Sequence, residues 1–322
     1  SVTMLLCAVF GYRLYTNAYN KLLFDSMASR LSVTSAQISQ KMENAEYISN
    51  LILGSSSIQD CLSDLPSPED APAITEYNRT INNALTEYAT LFRSNGIAYA
   101  AVYSKNGEYV NCTNWVTLKR TPGFLLDAAI QNGYEKEGAV TWTHATRQPY
   151  MLLSRNVRQI RNMSLEPLGN MVIGLDLEQV VSEAVRFASQ YKDQKVVIAN
   201  QSGSLIYASS SLTDQRAEEL ITDPFTTYKI VSYDGHKYFA VKGTLPHYQY
   251  SYVTLAPFDE VAGALTVSMQ TTFMIFLVGI LFIWYLSSRL IRGIIRQFDA
   301  LIQKMKLFTQ NELELEPEEE DY

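Results

Sequence analysis

The side chains best suited to catalysis are sparse in this chain. His144, His236 and His247 are its three histidines, each in or near a segment that reads as a turn. None sits in an H-E-x-x-H pair or in the surroundings of a phosphoacceptor helix. Cys7, Cys61 and Cys112 form no CxxC pair and lie near no histidine cluster, so neither zinc nor dithiol chemistry is indicated. Cys61 and Cys112 could join as a disulfide after export, or could be two small buried hydrophobes. There is no G-x-S-x-G and no glycine-rich phosphate loop, and Gly203, Gly235 and Gly243 stand alone in turns. The chemistry left open is non-covalent. Trp115, Trp142, His144, Arg147, Tyr150 and Asp176 combine aromatic walls with a few charged groups, the usual composition of a small-ligand site. Aromatic faces accept a cation or a sugar, and the Arg147 guanidinium could grip a carboxylate with two donors. Each also has a plainer reading. A Trp on a strand packs in a core, Asp176 can cap the helix that follows it, and Arg147 sits in an exposed hairpin turn. No catalytic residue, metal or other cofactor is expected in this chain.

The elements that must position these residues read as follows. The composition is globular, 47% hydrophobic and 18% charged, with a net charge of -7. Seven acids fall between Glu312 and Asp321, and no basic face exists to displace counterions from phosphates, which argues against nucleic acid. Met27, Leu31, Ile38, Met42, Ala45, Ile48 and Ile52 follow Phe24 at helical spacing, predicting one long amphipathic helix up to Gly54 that packs on its own domain, on a dimer mate, or on both. Asp60 to Pro72 reads as a loop. A second helix follows from Ile74 to Phe92, and strands take over at Ile97. The turn Lys105 to Gly107 sits between strands, a short helix spans Phe124 to Gln131, and further strands are expected near Val140–Thr143, Tyr150–Val157 and Met171–Leu175 before a helix from Asp176 to Ser189. Ala101 to Val110 then reappears in outline as Val197 to Ile206, a strand, a glycine turn and a strand in each. A helix at Asp214–Ile221 and strands at Tyr228–Ser232 and Lys237–Lys242, with Asp234-Gly235 between them, complete a second unit. The fold class expected is α+β, two tandem antiparallel α/β units braced by the long helix.

Val261 to Ser288 carries no charge, and Phe273 to Leu286 is almost wholly apolar, enough to cross a bilayer. Arg289, Arg292 and Arg296 follow it while Asp259 and Glu260 precede it, which directs the C-terminal end to the cytoplasm. Ser1 to Gly11 reads as the outer end of a first transmembrane helix. The expected organisation is that helix over 1–16, an extracytoplasmic module over 17–260, a second transmembrane helix over 263–288, and a cytoplasmic linker over 289–322. The module divides into a membrane-distal unit at about 74–190 and a membrane-proximal unit at about 191–260.

Tyr150 to Val157, Leu168 to Leu177, Ser202 to Tyr207 and Tyr252 to Pro257 together resemble the double Cache (dCache) sensor domain of bacterial receptors, particularly YesM-like sensor histidine kinases, over about residues 20–290. The resemblance implies PAS-like units with a ligand pocket in the distal one, between roughly Tyr99 and Asp176, where the six residues named above lie. It implies a homodimer in the cell membrane that senses a small extracellular ligand, directly or through a ligand-carrying binding protein. It also implies a kinase core, requiring ATP and Mg and acting on a response regulator, beyond this chain. Ser288 to Met305 resembles the first helix of a HAMP linker, although the proline usual near Ile294 is missing. Arg289, Ile291, Ile295, Phe298 and Ile302 would relay the signal, within a heptad-like seam that also holds Ile294 and Met305. Some domains of this family bind amino acids through an Arg, Trp and Tyr pattern after the first hairpin; Lys119-Arg120-Thr-Pro-Gly does not match it. A chemotaxis receptor or cyclic-dinucleotide enzyme uses the same input module, and a membrane-tethered exported binding protein is the alternative of another class.

Overall fold

The computed structural model describes residues 2–91, 96–160, 165–188, 193–224, 228–245 and 247–313. They group into two compact units, one from Leu22 to Val261 and one made of the helical segments on either side of it in sequence.

In the larger unit the spine is the part of α1 (Val2–Gly54) that follows Lys21, and its inward stripe is the one the spacing predicts. Met27, Leu31, Ile38, Met42, Ala45, Ile48 and Ile52 are all buried. Each of the larger ones contributes about 1.5–3 kcal/mol by leaving water. Ser35 and Ser49, also buried, turn their hydroxyls back to the carbonyls of Ser32 and Glu46, both at 2.7 Å, and so spend no unsatisfied polar group on the interior. The expected loop from Asp60 begins as a helix instead. Ser55 caps α2 (Ser56–Ser63) by accepting from the Ile58 amide, and Ile58 and Leu62, one turn apart, bury the same face. The helix α3 (Ala71–Leu91) then packs Tyr77, Ile81 and Leu85 inward.

Next come β1 (Ile97–Ser104), β2 (Val110–Cys112), α4 (Trp115–Arg120), α5 (Gly123–Glu135), β3 (Thr141–Thr143), β4 (Tyr150–Arg158) and β5 (Pro167–Asp176). The strands make an antiparallel sheet in the order β2-β1-β5-β4-β3. One face, with Met151, Leu153, Met171 and Ile173, packs against the α1–α3 side; the other, with Tyr99, Leu152 and Val172, packs on Leu118, Leu125 and Ala129 of α4 and α5. Strands β4 and β5 are therefore buried on both faces, which is why their sequences run apolar without alternation. The short helix α4 is absent from the sequence reading. It opens at Trp115 because the Asn114 side chain accepts from the Thr117 amide at 3.2 Å.

Asp176 closes the sheet and caps α6 (Leu177–Ala188) by accepting from the Gln179 amide at 3.0 Å. The second sheet is built from β6 (Lys195–Ala199), β7 (Leu205–Ala208), β8 (Tyr228–Tyr233), β9 (His236–Thr244) and β10 (Ser251–Pro257), with α7 (Asp214–Thr222) on one face. Its order, β7-β6-β10-β9-β8, repeats the first. The weak repeat in sequence is thus a repeat in topology. Asp234 and Gly235 turn the β8–β9 hairpin with φ of 49° and 75°, the left-handed geometry that a two-residue turn needs. On its other face this sheet meets the start of the spine, where Phe24 stacks at 5.4 Å from Phe239 beside Met27 and Leu31. Cys61 and Cys112 are both free thiols, and burial raises the pKa of Cys112 to about 11.

In the smaller unit α8 (Phe258–Leu313) runs unbroken through the apolar stretch and the arginines after it. Among the described residues one helical stretch, Gln270–Lys306, is long and apolar enough to cross a membrane, with a mean hydropathy of 2.0. Residues 2–16, expected as the end of a first span, are helical. The acidic residues beyond Leu313 lie outside the described residues.

Candidate ligand-binding site

The register of the first sheet brings several of the candidate residues to one end of it. Tyr150 pairs with Asp176, Tyr99 with Gly174 in the neighbouring ladder, and the Asn114 side chain that starts α4 reaches the Ala98 carbonyl at 3.4 Å. The β3–β4 connection, carrying His144 and Arg147, leaves the same end. They do not converge on one point, because the sheet separates them.

On the α4/α5 face, Tyr150 lies half-buried with its ring 6.3 Å from that of Tyr99. Tyr99 fills the centre of this face. Its ring lies over Gly174, where an added Cβ would stand 2.4 Å from Tyr99 Cε1, and its hydroxyl accepts from Thr121 at 3.2 Å. Burial raises the Tyr99 pKa to about 12, so the phenol stays neutral. Trp115, at the start of α4, is 45% exposed rather than part of the core. Asp176 spends one oxygen on the α6 cap.

On the opposite face, Trp142 donates its indole N–H to Glu46 of α1 at 2.9 Å and meets the Tyr248 ring edge-on at 6.2 Å. Burial, then the charge of Glu46, pushes the Tyr248 phenol up. His144 stands 6.4 Å from the Tyr250 ring and 3.5 Å, nitrogen to nitrogen, from the Asn200 side-chain amide. Its Nδ1 is sealed from solvent and has no hydrogen-bond partner among the described residues. Burial lowers its pKa, favouring the neutral ring. His144, Asn200, Tyr248 and Tyr250, but not Trp142 or Glu46, line an open cleft of about 540 Å³ together with Gln201 and Ser202.

Arg147 is engaged elsewhere. With φ at 57° it turns toward the second sheet, forms an ion pair with Asp214 at the start of α7 and donates to the Leu212 carbonyl at 2.6 Å. The carboxylate grip foreseen for a ligand is here used within the protein. Thr146 adds a bond to the Leu205 carbonyl at 3.3 Å, so this connection ties the first α/β unit to the second. The residues that sequence reasoning missed are Glu46, Asn200, Tyr248 and Tyr250. The two tyrosines carried a weak signal as an aromatic pair two residues apart in a segment that reads as a loop, and Glu46 carried none.

The relay candidates Arg289, Ile291, Ile295, Phe298 and Ile302 all lie on α8, exposed, with the four apolar ones between 52% and 62% accessible. No metal-binding group of three or more His, Cys, Asp or Glu occurs among the described residues.

No family model matches the chain. In sequence it is similar to the sensor histidine kinase YesM of Bacillus subtilis, 20% identical over 300 residues that cover 92% of this chain and 50% of that protein. The chain therefore spans about half the length of the curated relative it matches. In structure it resembles the extracellular domain assigned to the histidine kinase rpHK1S-Z16, with a TM-score of 0.51 and 11% identity over 73% of this chain and 94% of the other. It resembles equally the sensory domain of the Campylobacter jejuni chemoreceptor Tlp3, with a TM-score of 0.50 and 11% identity over 77% and 98%. Two five-stranded sheets of one strand order on a common helical spine thus give the chain the fold of these domains, as the resemblance to double Cache modules implies.

Proposed function

We propose that this chain is the input half of a two-component sensor histidine kinase, binding an extracytoplasmic ligand and passing the change through the membrane to a kinase core. The observation that carries this reading is the coupling, in one chain, of the duplicated sensor fold to a helix that is apolar from Phe273 to Leu286 and then turns to arginine at 289, 292 and 296. That charge order directs the end of α8 into the cytoplasm and leaves both sheets outside. A first span over residues 1–16 would make the protein multi-pass. Ile291, Ile294, Ile295, Phe298, Ile302 and Met305 would form the seam of a parallel homodimer in a HAMP-like linker, because an apolar stripe at this spacing buries itself against its own copy. The kinase core, with its ATP and Mg, and the response regulator belong to the half of such a receptor that this chain does not match. A chemotaxis receptor is the second reading, supported by the likeness to the Tlp3 sensory domain.

The ligand site of this reading is the α4/α5 side of the first sheet, with Trp115, Tyr150 and Asp176 at its rim. A bound ligand acts only through unequal affinity for two packings of the sensor. The test has two arms. Thiol labelling in intact cells should reach Ser209→Cys without permeabilisation, and a label that reached it only after permeabilisation would overturn the topology. A thermal-shift screen of the full chain in detergent with sugars, organic acids, amines and peptides should find a compound whose effect is lost in Tyr150→Ala and Trp115→Ala. If every hit were indifferent to both, the site would not lie on this face.

A further inference from the structure

We infer that the cleft between the two α/β units is a second binding site, built for an uncharged polyhydroxylated ring of the carbohydrate class. Its platform is Tyr248 and Tyr250, whose ring centroids lie 6.1 Å apart with planes inclined by 25°. The backbone is strained to present them. His247 and Gln249, flanking Tyr248, hold φ at 69° and 54°, in the left-handed region that side chains other than glycine avoid. This alternation turns 247 and 249 out to solvent and both tyrosines inward. A Leu245 amide bond to the Tyr250 carbonyl at 2.7 Å closes the segment. Strain of this kind persists where surrounding structure enforces it, and it concentrates at functional sites.

The lining sets the ligand class. Asn200 uses its side-chain oxygen on Ser204 N at 2.9 Å and Ser202 Oγ at 2.7 Å, which leaves its amide nitrogen facing His144. Gln201 and Ser202 add exposed polar groups on the same turn. His144 adds its ring edge, with Nε2 3.5 Å from the Asn200 amide nitrogen. Every lining side chain carries a hydrogen-bonding group and none is a carboxylate, lysine or arginine, while burial favours the neutral imidazole. Glu46, whose charge adds to burial in pushing up the Tyr248 and Tyr250 phenols, accepts from Trp142 and is not among the lining residues. An anion would thus lose its hydration with no counter-charge in return, and a cation would find carboxylates only outside the lining. An aromatic platform rimmed by amide, hydroxyl and imidazole suits the apolar face and hydroxyl edge of a sugar, and the cleft volume lies in the range of small-ligand sites. His144 comes from the first unit and the other lining residues from the second, so an occupant joins them.

The test is calorimetric titration of the full chain in nanodiscs with glucose, galactose, xylose, maltose and cellobiose, against glucuronate, glucosamine and choline. At least one neutral sugar should bind, with its Kd weakened tenfold or more by Tyr250→Ala and by Asn200→Ala. Tyr250→Phe, which keeps the ring, should stay within about threefold, and Gln201→Ala offers an exposed position that folding tolerates. Trp115→Ala and Tyr150→Ala, on the other face, should leave this affinity unchanged, which separates the site from the one proposed above. The inference is overturned if no neutral sugar binds, if Tyr250→Ala and Asn200→Ala bind as the parent does, or if the charged compounds bind there equally well.

Discussion

A histidine with one nitrogen closed off from both water and partners makes stability depend on pH. Burial depresses the His144 pKa in the folded chain, whereas in the unfolded chain it titrates near about 6.5. As pH falls through about 6.5 the unfolded state takes up a proton that the folded state refuses, so stability falls with it. Chemical denaturation at pH 7.5 and 5.5 should show a larger loss for the parent than for His144→Gln. Equal losses would mean that the ring is not sealed. At this scale the sequence was least informative. Trp142 was visible as an aromatic on a strand, but its partner Glu46 lies 96 residues away and on another element, a pairing no local pattern encodes. Arg147 was legible as a turn residue; its use on Asp214 follows only from how the two units meet.

The elements were much easier to read, because their causes are local. The stripe from Met27 to Ile52 predicted the spine and its buried face, and the turns at Lys105–Gly107 and Asp234–Gly235 predicted hairpins, since periodicity and left-handed turn residues act within a few positions. The helices α2 and α4 escaped, each being too short for a period to register and fixed instead by one capping side chain, Ser55 and Asn114. Close approach between an aromatic and a strand was equally invisible. Gly174 of β5 lies under the Tyr99 ring with no room for a methyl group. Gly174→Ala should therefore force the ring aside and cost about 1–3 kcal/mol, the usual range for overpacking a filled core. Gly54→Ala, where an added Cβ meets nothing within 4 Å, should not destabilise the fold. Urea midpoints of the two variants would decide, and equal midpoints would show that the Tyr99 face is slack.

For the molecule as a whole, duplication explains both what could be foreseen and what could not. Two sheets with one strand order were foreshadowed by the resemblance of Ala101–Val110 to Val197–Ile206, yet the meeting of the copies, where the cleft forms, has no counterpart inside either copy. The uninterrupted course of α8 between Gln270 and Met305 carries a further consequence. With no proline to decouple them, the apolar stretch from Phe273 to Leu286 and the apolar seam beyond Arg289 keep a fixed azimuth, so information can be carried as rotation. At about 100° per residue, two residues inserted after Ser288 would turn the seam by about 200°, while seven would return it to within about 20°. Under the proposed function, the seven-residue insertion in the full-length protein should keep the autophosphorylation response within about twofold, and the two-residue insertion should abolish or invert it. If both behaved alike, the helix would act as a tether and not as a shaft.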